Sequence, residues 1–338
     1  MQGKSTAEVL PTHTPKLFQV AVSRAAQLLR AGEVVALPTE TVYGLAANAF
    51  DAAAVAKIYE AKGRPAHNPI IVHVASAEMA RVCVTNWPTS AEKLAASFWP
   101  GPLTLVLSKA KEIPDLVTAG GPTVGVRWPS HPFIQAVIRE CGFPLAAPSA
   151  NLSNQVSPTN AGHVREQLGN KIPLIVDGGQ SQVGIESTVI DLTTEPPAVL
   201  RPGMIHEESL LAVTGDLVSF QKKTLRDGES LRSPGLLTKH YAPKAKLVLL
   251  GWRDAADLKS RLPSPASRIH VIAHTHIPSG EGLASVSVIP HDAEAFARAI
   301  YAELHRCDEA GAELIVVEAL PDAPAWRAIA DRLQRAAG

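Results

Sequence analysis

The sequence predicts a mixed α/β fold in two domains, and three observations lead to this prediction. Apolar runs of strand length alternate with amphipathic helical segments between residues 17 and 212. A polar stretch marked by glycine and proline, residues 213–244, interrupts the pattern. Four further strand-like runs and a long amphipathic helix occupy residues 245–338. We therefore expect a first domain at 17–212, a linker at 213–244 and a smaller Rossmann-like domain at 245–338, preceded by a loose extension at 1–16.

The composition is that of a globular protein without an overall field for polyanions. The chain has 338 residues, of which 46% are hydrophobic and 19% charged, and this is far from a disordered composition. Lysine plus arginine number 32, and so do aspartate plus glutamate. The net charge therefore attracts neither nucleic acid nor an acidic membrane surface. Any polyanion must be held by a local group of cations.

The cysteines and the N-terminal segment exclude several classes of protein. Cys83, Cys141 and Cys307 stand singly, without the spacing of a zinc site or a disulfide framework, so we expect three small buried hydrophobes. The segment MQGKSTAEVLPTHTPKLF lacks the apolar core of a secretion signal, and no run approaches the roughly 20 apolar residues of a membrane span. We interpret the chain as cytoplasmic and expect ordered structure to begin near residue 17.

The first predicted elements are a helix and a short strand. In VAVSRAAQLLRAG one helical face carries Val22, Ala25, Ala26 and Leu29. Gly32 suits the left-handed cap that ends such a helix. The apolar run VVALP that follows predicts a short buried strand.

A second helix leads directly to a pair of cations. Asp51 can cap AAAVAKIYEA, whose apolar stripe is formed by Ala54, Ile58 and Ala61. In the following AKGRPAHNP, Lys62 and Arg64 flank Gly63. A surface loop could carry these cations by chance. The alternative is a polyanion site without a phosphate-loop motif, in which Gly63 lets the backbone approach the ligand closely.

The remaining pattern completes two sheets. In the first domain we predict strands at IIVHV, LTLVLS, TVGVRWP, PLAAPSA, LIVDGG and STVIDL, and helices at HPFIQAVIREC and NAGHVREQLG. In the second we predict strands at KLVLLG, RIHVIAH, SVSVIP and ELIVVEAL, with a helix at AEAFARAIYAELHRCDEAG. The second domain has no Gly-x-Gly-x-x-Gly, so the dinucleotide fingerprint is absent.

Polar residues gather at the ends of the predicted strands of the first domain. Thr39 and Thr41 in LPTETVYG either serve a ligand or satisfy backbone groups in a turn. Arg127 lies between apolar residues, and a cation in such a strand needs a partner, which could be a structural carboxylate or a ligand. His73 in IIVHV is by itself more typical of a core histidine than of a functional one.

The segment PSANLS offers a further set of polar groups. Ser149, Asn151 and Ser153 alternate along it, which places them on one side if the segment is extended. Serine and asparagine can hold phosphate or ribose oxygens, and they also form common turns. Each of these signals is weak when it stands alone.

The combination of these segments is far more specific than its parts. LPTETVYGLAANAF, IYEAKGRPAHNPIIVHV, WPGPLTLVL, VGVRWPSHP, PLAAPSANLS and ESTVIDL occur in this order. Together they closely resemble the YrdC-like domain of the threonylcarbamoyl-AMP synthases, over residues 17–210. The later RSPGLLTKHYAP resembles the linker motif of the two-domain members. The resemblance implies a YrdC-like twisted mixed sheet with flanking helices, followed by the Rossmann-like domain.

The resemblance implies an enzyme, a nucleotidyltransferase. Its substrates would be L-threonine, bicarbonate or CO2, and ATP, and its products threonylcarbamoyl-AMP and pyrophosphate. The product would pass to the proteins that form N6-threonylcarbamoyladenosine at position 37 of ANN-decoding tRNAs. A threonine carbamate that attacks the α-phosphate needs positioning and charge neutralisation more than covalent help.

The resemblance also assigns residues to the site. The catalytic positions are Lys62 and Arg64. The ATP-binding positions are Lys62, Arg64, Asn68, Thr123, Ser149, Asn151, Ser157, Arg201 and Tyr241. The threonine-binding positions are Thr41, His73, Arg127 and Ser187, and Ala147 would add backbone contacts at most. Arg127 suits a carboxylate because its planar fork can pair with both oxygens.

Cofactors and partners follow from the same resemblance. We expect Mg²⁺ to accompany ATP, and because the sequence shows no compact carboxylate cluster we assign no metal ligand. We expect neither a membrane partner nor direct binding of tRNA. The segment SPGLLTKHYAP is either a semi-rigid spacer packed on the domain surface or a lid over the site, which would keep water from the reactive carbamate and anhydride.

Two other functions compete with this interpretation. A noncatalytic RNA-binding module could use Lys62, Arg64 and Arg127 against a phosphate backbone, but the net charge is zero and basic runs with interleaved aromatics are absent. A carbamoyl transferase of the hydrogenase-maturation type shares the YrdC-like domain. It would need zinc-finger cysteines and an acylphosphatase-like segment, which this sequence lacks.

Overall fold

The computed structural model describes residues 6–221, 240–263 and 268–338, and their packing divides the chain into two units. Neither unit is continuous in sequence. The described residues of the first unit are 6–153, 157–182 and 186–221, and those of the second are 154–156, 183–185, 240–263 and 268–338. Most of the predicted linker, residues 222–239, lies outside the described residues.

The first unit contains a ten-stranded mixed sheet. In chain order its strands are β1 Glu8–Pro11, β2 Val35–Leu37, β3 Gly44–Asn48, β4 Val72–His73, β5 Leu103–Ser108, β6 Thr123–Arg127, β7 Leu145–Ala146, β8 Leu174–Asp177, β9 Thr188–Asp191 and β10 Ala198–Arg201. The order across the sheet is β1-β8-β2-β3-β7-β4-β6-β5-β9-β10. The β4–β6 and β5–β9 pairs are parallel, whereas β2–β3 and β5–β6 are antiparallel. The predicted mixed sheet is confirmed.

Helices cover both faces of this sheet. They are α1 Pro15–Arg30, α2 Ala52–Lys62, α3 Ala77–Val82, α4 Thr89–Phe98, α5 Asp115–Thr118, α6 Pro132–Cys141, α7 Ala161–Leu168 and α8 Glu207–Thr214. Two apolar cores result, one containing Ile58 of α2 and the other containing residues of α1 and α6. Cys83, Cys141 and Cys307 are free and buried, as predicted.

The N-terminal segment is ordered earlier than the sequence suggests. The prediction that structure begins near residue 17 is wrong, since β1 pairs in parallel with β8, from Glu8 opposite Leu174 to Pro11 opposite Asp177. Four residues without a strong apolar run give no local signal for a strand. Their conformation depends on a partner strand that is distant in sequence.

Helix α2 forms for the reasons the sequence gives. The Asp51 side chain accepts hydrogen bonds from the amides of Ala53 and Ala54, which satisfies free donors of the first turn. The helix ends at Gly63, whose φ of 60° is left-handed. A Cβ atom on Gly63 would meet nothing within 4 Å, so this glycine is needed here for its backbone conformation rather than for space.

The second unit contains a four-stranded parallel sheet in the order β11-β14-β12-β13. Its strands are β11 Lys246–Leu250, β12 Ile269–Ala273, β13 Ser285–Val288 and β14 Leu314–Glu318. Its helices are α9 Ala255–Arg261, α10 Ala293–Glu309 and α11 Arg327–Ala337, the last preceded by a 3-10 turn at Pro324–Trp326. All four strands and α10 were predicted. In the described parts of the chain, no helix is both long and apolar enough to span a membrane.

Candidate functional site

The predicted site residues of the first unit lie along a few neighbouring strands and the loops at their ends. His73 on β4 and Arg127 on β6 are register partners in a parallel pair, so their side chains leave the same face of the sheet. Thr123 stands at the other end of β6, four residues and thus roughly 13 Å from Arg127. The strands therefore hold two groups of predicted residues, one at each end.

The Arg127 guanidinium is buried and held on three sides. Its Nε donates to the Gly101 carbonyl at 3.2 Å, and its Nη1 donates to Thr41 Oγ1 at 2.9 Å. Its Nη2 lies 2.6 Å from Oε1 of Glu40. The residue is only 3% exposed. Glu40 is therefore a structural carboxylate partner of the buried cation, which is one of the two kinds of partner that the sequence allowed. Two of its five N–H groups remain beyond these three contacts.

Glu40 is a site residue that the sequence analysis did not single out. It is 6% exposed, and its Oε1 also accepts a hydrogen bond from the Ser130 amide at 3.0 Å. Burial raises the pKa of Glu40, but the Arg127 charge and the Ser130 amide outweigh it and hold the pKa below its usual range. The signal available in the sequence was its place in LPTETVYG, between two threonines already under consideration.

The two threonines of this loop have different roles. Thr39 Oγ1 accepts from the amides of Thr41 and Val42 and donates to the Val42 carbonyl at 2.6 Å. Thr39 therefore satisfies backbone groups in a turn, which is one of the two roles that the sequence allowed; the other was to serve a ligand. Thr41 Oγ1 lies 2.9 Å from Thr39 Oγ1 and accepts from Arg127. Because the Thr39 proton is committed to a carbonyl, the Thr41 hydroxyl donates to Thr39 and its lone pairs face Arg127.

His73 is buried beside this ion pair and is uncharged. Burial, followed by the Arg127 charge, lowers its pKa to about 3, against a smaller opposing effect of Glu40. Among the described residues its Nδ1 has no hydrogen-bond partner. A neutral imidazole with one unsatisfied nitrogen can serve a ligand hydroxyl or amine.

Ser187 joins the Arg127 region to a second buried arginine. Its Oγ lies 2.8 Å from Thr104 Oγ1. Arg201 donates through Nε to the Ser187 carbonyl at 3.0 Å and through Nη2 to Ser187 Oγ at 3.1 Å. On the other side of this chain segment, Ser157 Oγ donates to Oε1 of Glu186 at 2.6 Å. Ser187 and Arg201 are thus joined by hydrogen bonds, and Ser157 is bonded to Glu186, the residue before Ser187.

Lys62 binds directly to the PSANLS segment. Its Nζ donates to the carbonyls of Ser149 and Asn151, at 2.6 and 2.5 Å, and to Asn151 Oδ1 at 3.3 Å. The segment bends here instead of running extended. The expected placement of Ser149, Asn151 and Ser153 on one side of an extended strand therefore does not apply. Burial, followed by the Arg64 charge, lowers the pKa of Lys62 well below its usual range.

Arg64 and Asn68 close the turn after α2. Arg64 donates to the carbonyls of Asn68 at 3.0 Å and Pro69 at 2.6 Å. The Asn68 side chain is fully buried, and neither its Oδ1 nor its Nδ2 has a partner among the described residues. Pro69 and Thr123 line one small cavity, which places Thr123 beside this turn and away from Arg127.

Tyr241 lies in the second unit. Its ring stacks on Tyr301 with centroids 6.0 Å apart, and the Arg332 guanidinium lies 5.5 Å from its centroid. Its backbone has a φ of 62°, which is rare for a residue with a side chain. Of the predicted lid segment, the structure describes only His240–Pro243.

No group of three or more His, Cys, Asp or Glu residues in the described ranges is placed to hold a metal ion. The first unit thus offers a buried lysine and a half-buried arginine around the C-terminus of α2, and a buried arginine–glutamate pair beside a neutral histidine at the C-terminal end of β6. Such an arrangement is typical of an enzyme that binds a polyanion and a small polar molecule through positioning and charge.

The chain matches two family models, which together span most of its length. Residues 27–203 match the Sua5/YciO/YrdC family model, described as "Telomere recombination". Residues 205–338 match the model of the C-terminal domain of threonylcarbamoyl-AMP synthase. The chain belongs to the Sua5/YciO/YrdC family, in the two-domain form of the threonylcarbamoyl-AMP synthases.

Sequence relatives and solved structures both match nearly the whole chain. The threonylcarbamoyl-AMP synthase of Pyrococcus abyssi is 40% identical over 320 residues, 93% of each chain. That of Bacillus subtilis is 41% identical over 337 residues, 97% of this chain and 95% of its own. The crystal structure of P. abyssi Sua5 complexed with L-threonine has a TM-score of 0.88 at 38% identity and covers 98% of this chain and 97% of its own.

Proposed function

We propose that this chain is a nucleotidyltransferase that makes threonylcarbamoyl-AMP and pyrophosphate from L-threonine, bicarbonate or CO2, and ATP. The proposal includes passage of the product to the machinery that modifies adenosine 37 of ANN-decoding tRNAs, with the enzyme acting in the cytoplasm. The observation that supports it is the presence of two cationic groups in one unit of a chain of this family: buried Lys62 with half-buried Arg64 around the C-terminus of α2, and buried Arg127 on β6.

Within this proposal Arg127 binds the threonine carboxylate. Thr41, His73 and Ser187 complete the proposed threonine site, and the Nδ1 of neutral His73, which has no partner among the described residues, is available to the threonine hydroxyl or amine. The amine, once carboxylated, becomes a carbamate that attacks the α-phosphorus of ATP. Orientation of these two reactants, rather than a covalent enzyme intermediate, lowers the barrier.

The ATP triphosphate is assigned to Lys62 and Arg64, which we propose as the catalytic pair because they neutralise charge that develops on the phosphates. Asn68, Thr123, Ser149, Asn151, Ser157 and Arg201 complete the nucleotide site, and Tyr241 is proposed as a further contact. Two donors support this assignment: Lys62 is the last residue of α2, and the unsatisfied Asn68 amide lies in the turn that follows. Mg²⁺ would be held mainly through the phosphate oxygens and water, and would share their charge.

The direct test is detection of threonylcarbamoyl-AMP by mass spectrometry after incubation with ATP, L-threonine and bicarbonate. We expect product only when all three are present, and a large loss of product for Lys62→Ala and Arg64→Ala. Full activity in both variants would contradict the assignment of the triphosphate. RNA binding without consumption of ATP that depends on threonine and bicarbonate would favour the RNA-binding alternative.

A lid formed by residues 233–243 is part of the proposal. Replacement of residues 233–239 by a glycine–serine spacer of equal length should lower synthesis or raise ATP hydrolysis per product formed, because water would reach the reactive intermediates. The measurement is the ratio of pyrophosphate released to threonylcarbamoyl-AMP formed. An unchanged rate and ratio would leave the segment as a spacer only.

A further inference from the structure

Glu40 carries a buried charge that has no role in the proposed reaction. Its Oε1 is occupied by the Ser130 amide and by Arg127. Its Oε2 is buried and has no hydrogen-bond partner among the described residues. A carboxylate kept only to hold an arginine would gain from using both oxygens. One oxygen left without a partner suggests that this carboxylate acts on something besides Arg127.

The charges around Arg127 cancel. Burial, followed by neighbouring charge, lowers the pKa of His73 to about 3, and burial also lowers the pKa of His131, so both are neutral at pH 7. The charges that act on His73 are those of Arg127 and Glu40, whose nearest charged atoms are 2.6 Å apart, whereas Arg201 is joined to this region only through Ser187. The group is therefore a net-neutral dipole, positive at the guanidinium and negative at the carboxylate, in surroundings where charges are weakly screened.

We propose that Glu40 is a specificity-determining positioning residue, which fixes and neutralises the Arg127 guanidinium so that the site selects a zwitterionic amino acid over a plain carboxylate anion. An uncompensated buried arginine would attract any small carboxylate. With Glu40 beside it, net attraction for an anion is lost. The dipole of an amino acid, with its ammonium toward the carboxylate end, is still stabilised. This inference rests on the proposed binding of threonine at Arg127.

The test compares two ligands that differ only in the amine. L-Threonine and (R)-3-hydroxybutyrate, its analogue without the amino group, are titrated calorimetrically into the full chain and into Glu40→Gln. The wild type should prefer threonine. In E40Q this preference should fall by roughly tenfold or more, with the affinity for 3-hydroxybutyrate unchanged or higher.

Two further variants separate this role from a structural one. Glu40→Asp keeps the charge and shortens the side chain, so it should weaken both ligands yet keep the preference for threonine. Glu33→Gln removes a glutamate charge from an ion pair with Lys57 elsewhere in the same unit and should leave the preference unchanged. Thermal unfolding of each variant shows whether it is folded.

The outcomes distinguish this inference from the proposed function. Equal weakening of both ligands in E40Q means that Glu40 only supports the fold, and it overturns the inference. If E40Q does not fold, loss of the preference in E40D overturns it, as does a wild type that binds 3-hydroxybutyrate as tightly as threonine. A wild type that does not bind threonine contradicts the proposed function itself.

Discussion

Lys62 is a buried side chain whose surroundings can accept a positive charge. Three oxygens surround its Nζ within 3.3 Å, which is the environment that an ammonium needs. Burial nevertheless lowers its pKa well below the usual range, and Arg64 adds to the effect. The residue therefore gains most from a ligand that brings negative charge.

We predict that ATP binding takes up a proton at Lys62. Phosphate oxygens favour the charged amine, so bound ATP raises the pKa of Lys62 from its lowered value, and at a pH between the two values the complex binds more protons than the free protein. Calorimetric titrations in buffers of different ionisation enthalpy measure this uptake. Lys62→Arg, which stays protonated, is the control. Equal proton uptake in wild type and variant would assign it to another group.

At the scale of elements, helix α2 sets the position of the cationic turn. Its N-terminus is capped by Asp51, and its C-terminus passes through left-handed Gly63 into the turn of Arg64 and Asn68. Lys62 is the last helical residue, so the end of the helix decides where its side chain meets residues 149–151.

We predict that Gly63→Ala destabilises the first unit by about 1 kcal/mol. A methyl group at this position meets no atom within 4 Å, so the loss comes from the left-handed backbone rather than from a clash. Gly63→Asn should cost less, because asparagine adopts this conformation more readily. Urea unfolding followed by tryptophan fluorescence compares the three proteins. Equal stability of the alanine variant and the wild type would contradict the argument.

The elements also show how far sequence reasoning reaches. Strong local signals were sufficient for α1 and α2, where apolar stripes and caps coincide, and for the strands of the second sheet. They failed for β1, whose pairing is distant, and for α11, which buries Asp331, Arg332 and Arg335 against one another. The pattern of α11 is strongly amphipathic, but its mean hydropathy is low and charged residues lie on its buried side, so the segment lacks the usual apolar stripe.

The same limit applies to the site. The resemblance assigned Arg127 to a ligand, and the residues alone indicated a partner that could be either a structural carboxylate or a ligand. Neither identified Glu40, because its contact with Arg127 joins a loop after β2 to the end of β6. Residues that act through a neighbour distant in sequence leave no local pattern. The roles assigned to the site residues therefore stay predictions until ligand binding is measured.

For the molecule as a whole, buried neutral histidine makes stability depend on pH. The pKa of His73 is about 3 in the folded chain, against about 6.5 when unfolded. As the pH falls below 6.5 the unfolded state binds a proton that the folded state does not bind, so stability is lost between pH 6.5 and 3. Glu40, whose pKa is also lowered, acts in the same direction at the acid end of this range.

We predict that His73→Gln reduces the acid sensitivity of the first unit. Between pH 6 and 5 the wild type should lose about 1.2 kcal/mol more than the variant. Urea unfolding at each pH gives this difference. His13→Gln, at an exposed position of the same unit, should behave as the wild type. An identical pH profile for His73→Gln and the wild type would mean that His73 is protonated in the folded chain.

The second unit is assembled from segments that are distant in sequence, and this affects when it can fold during synthesis. Residues 154–156 and 183–185 belong to the second unit. Asn154 accepts a hydrogen bond from the Ala242 amide, and Gly184 is packed against Ala297 and Arg298. On the ribosome these short segments emerge well before residues 240–338, so the second unit can be completed only late in synthesis. A gene fragment encoding residues 240–338 would lack them, and the C-terminal unit is therefore not a portable module.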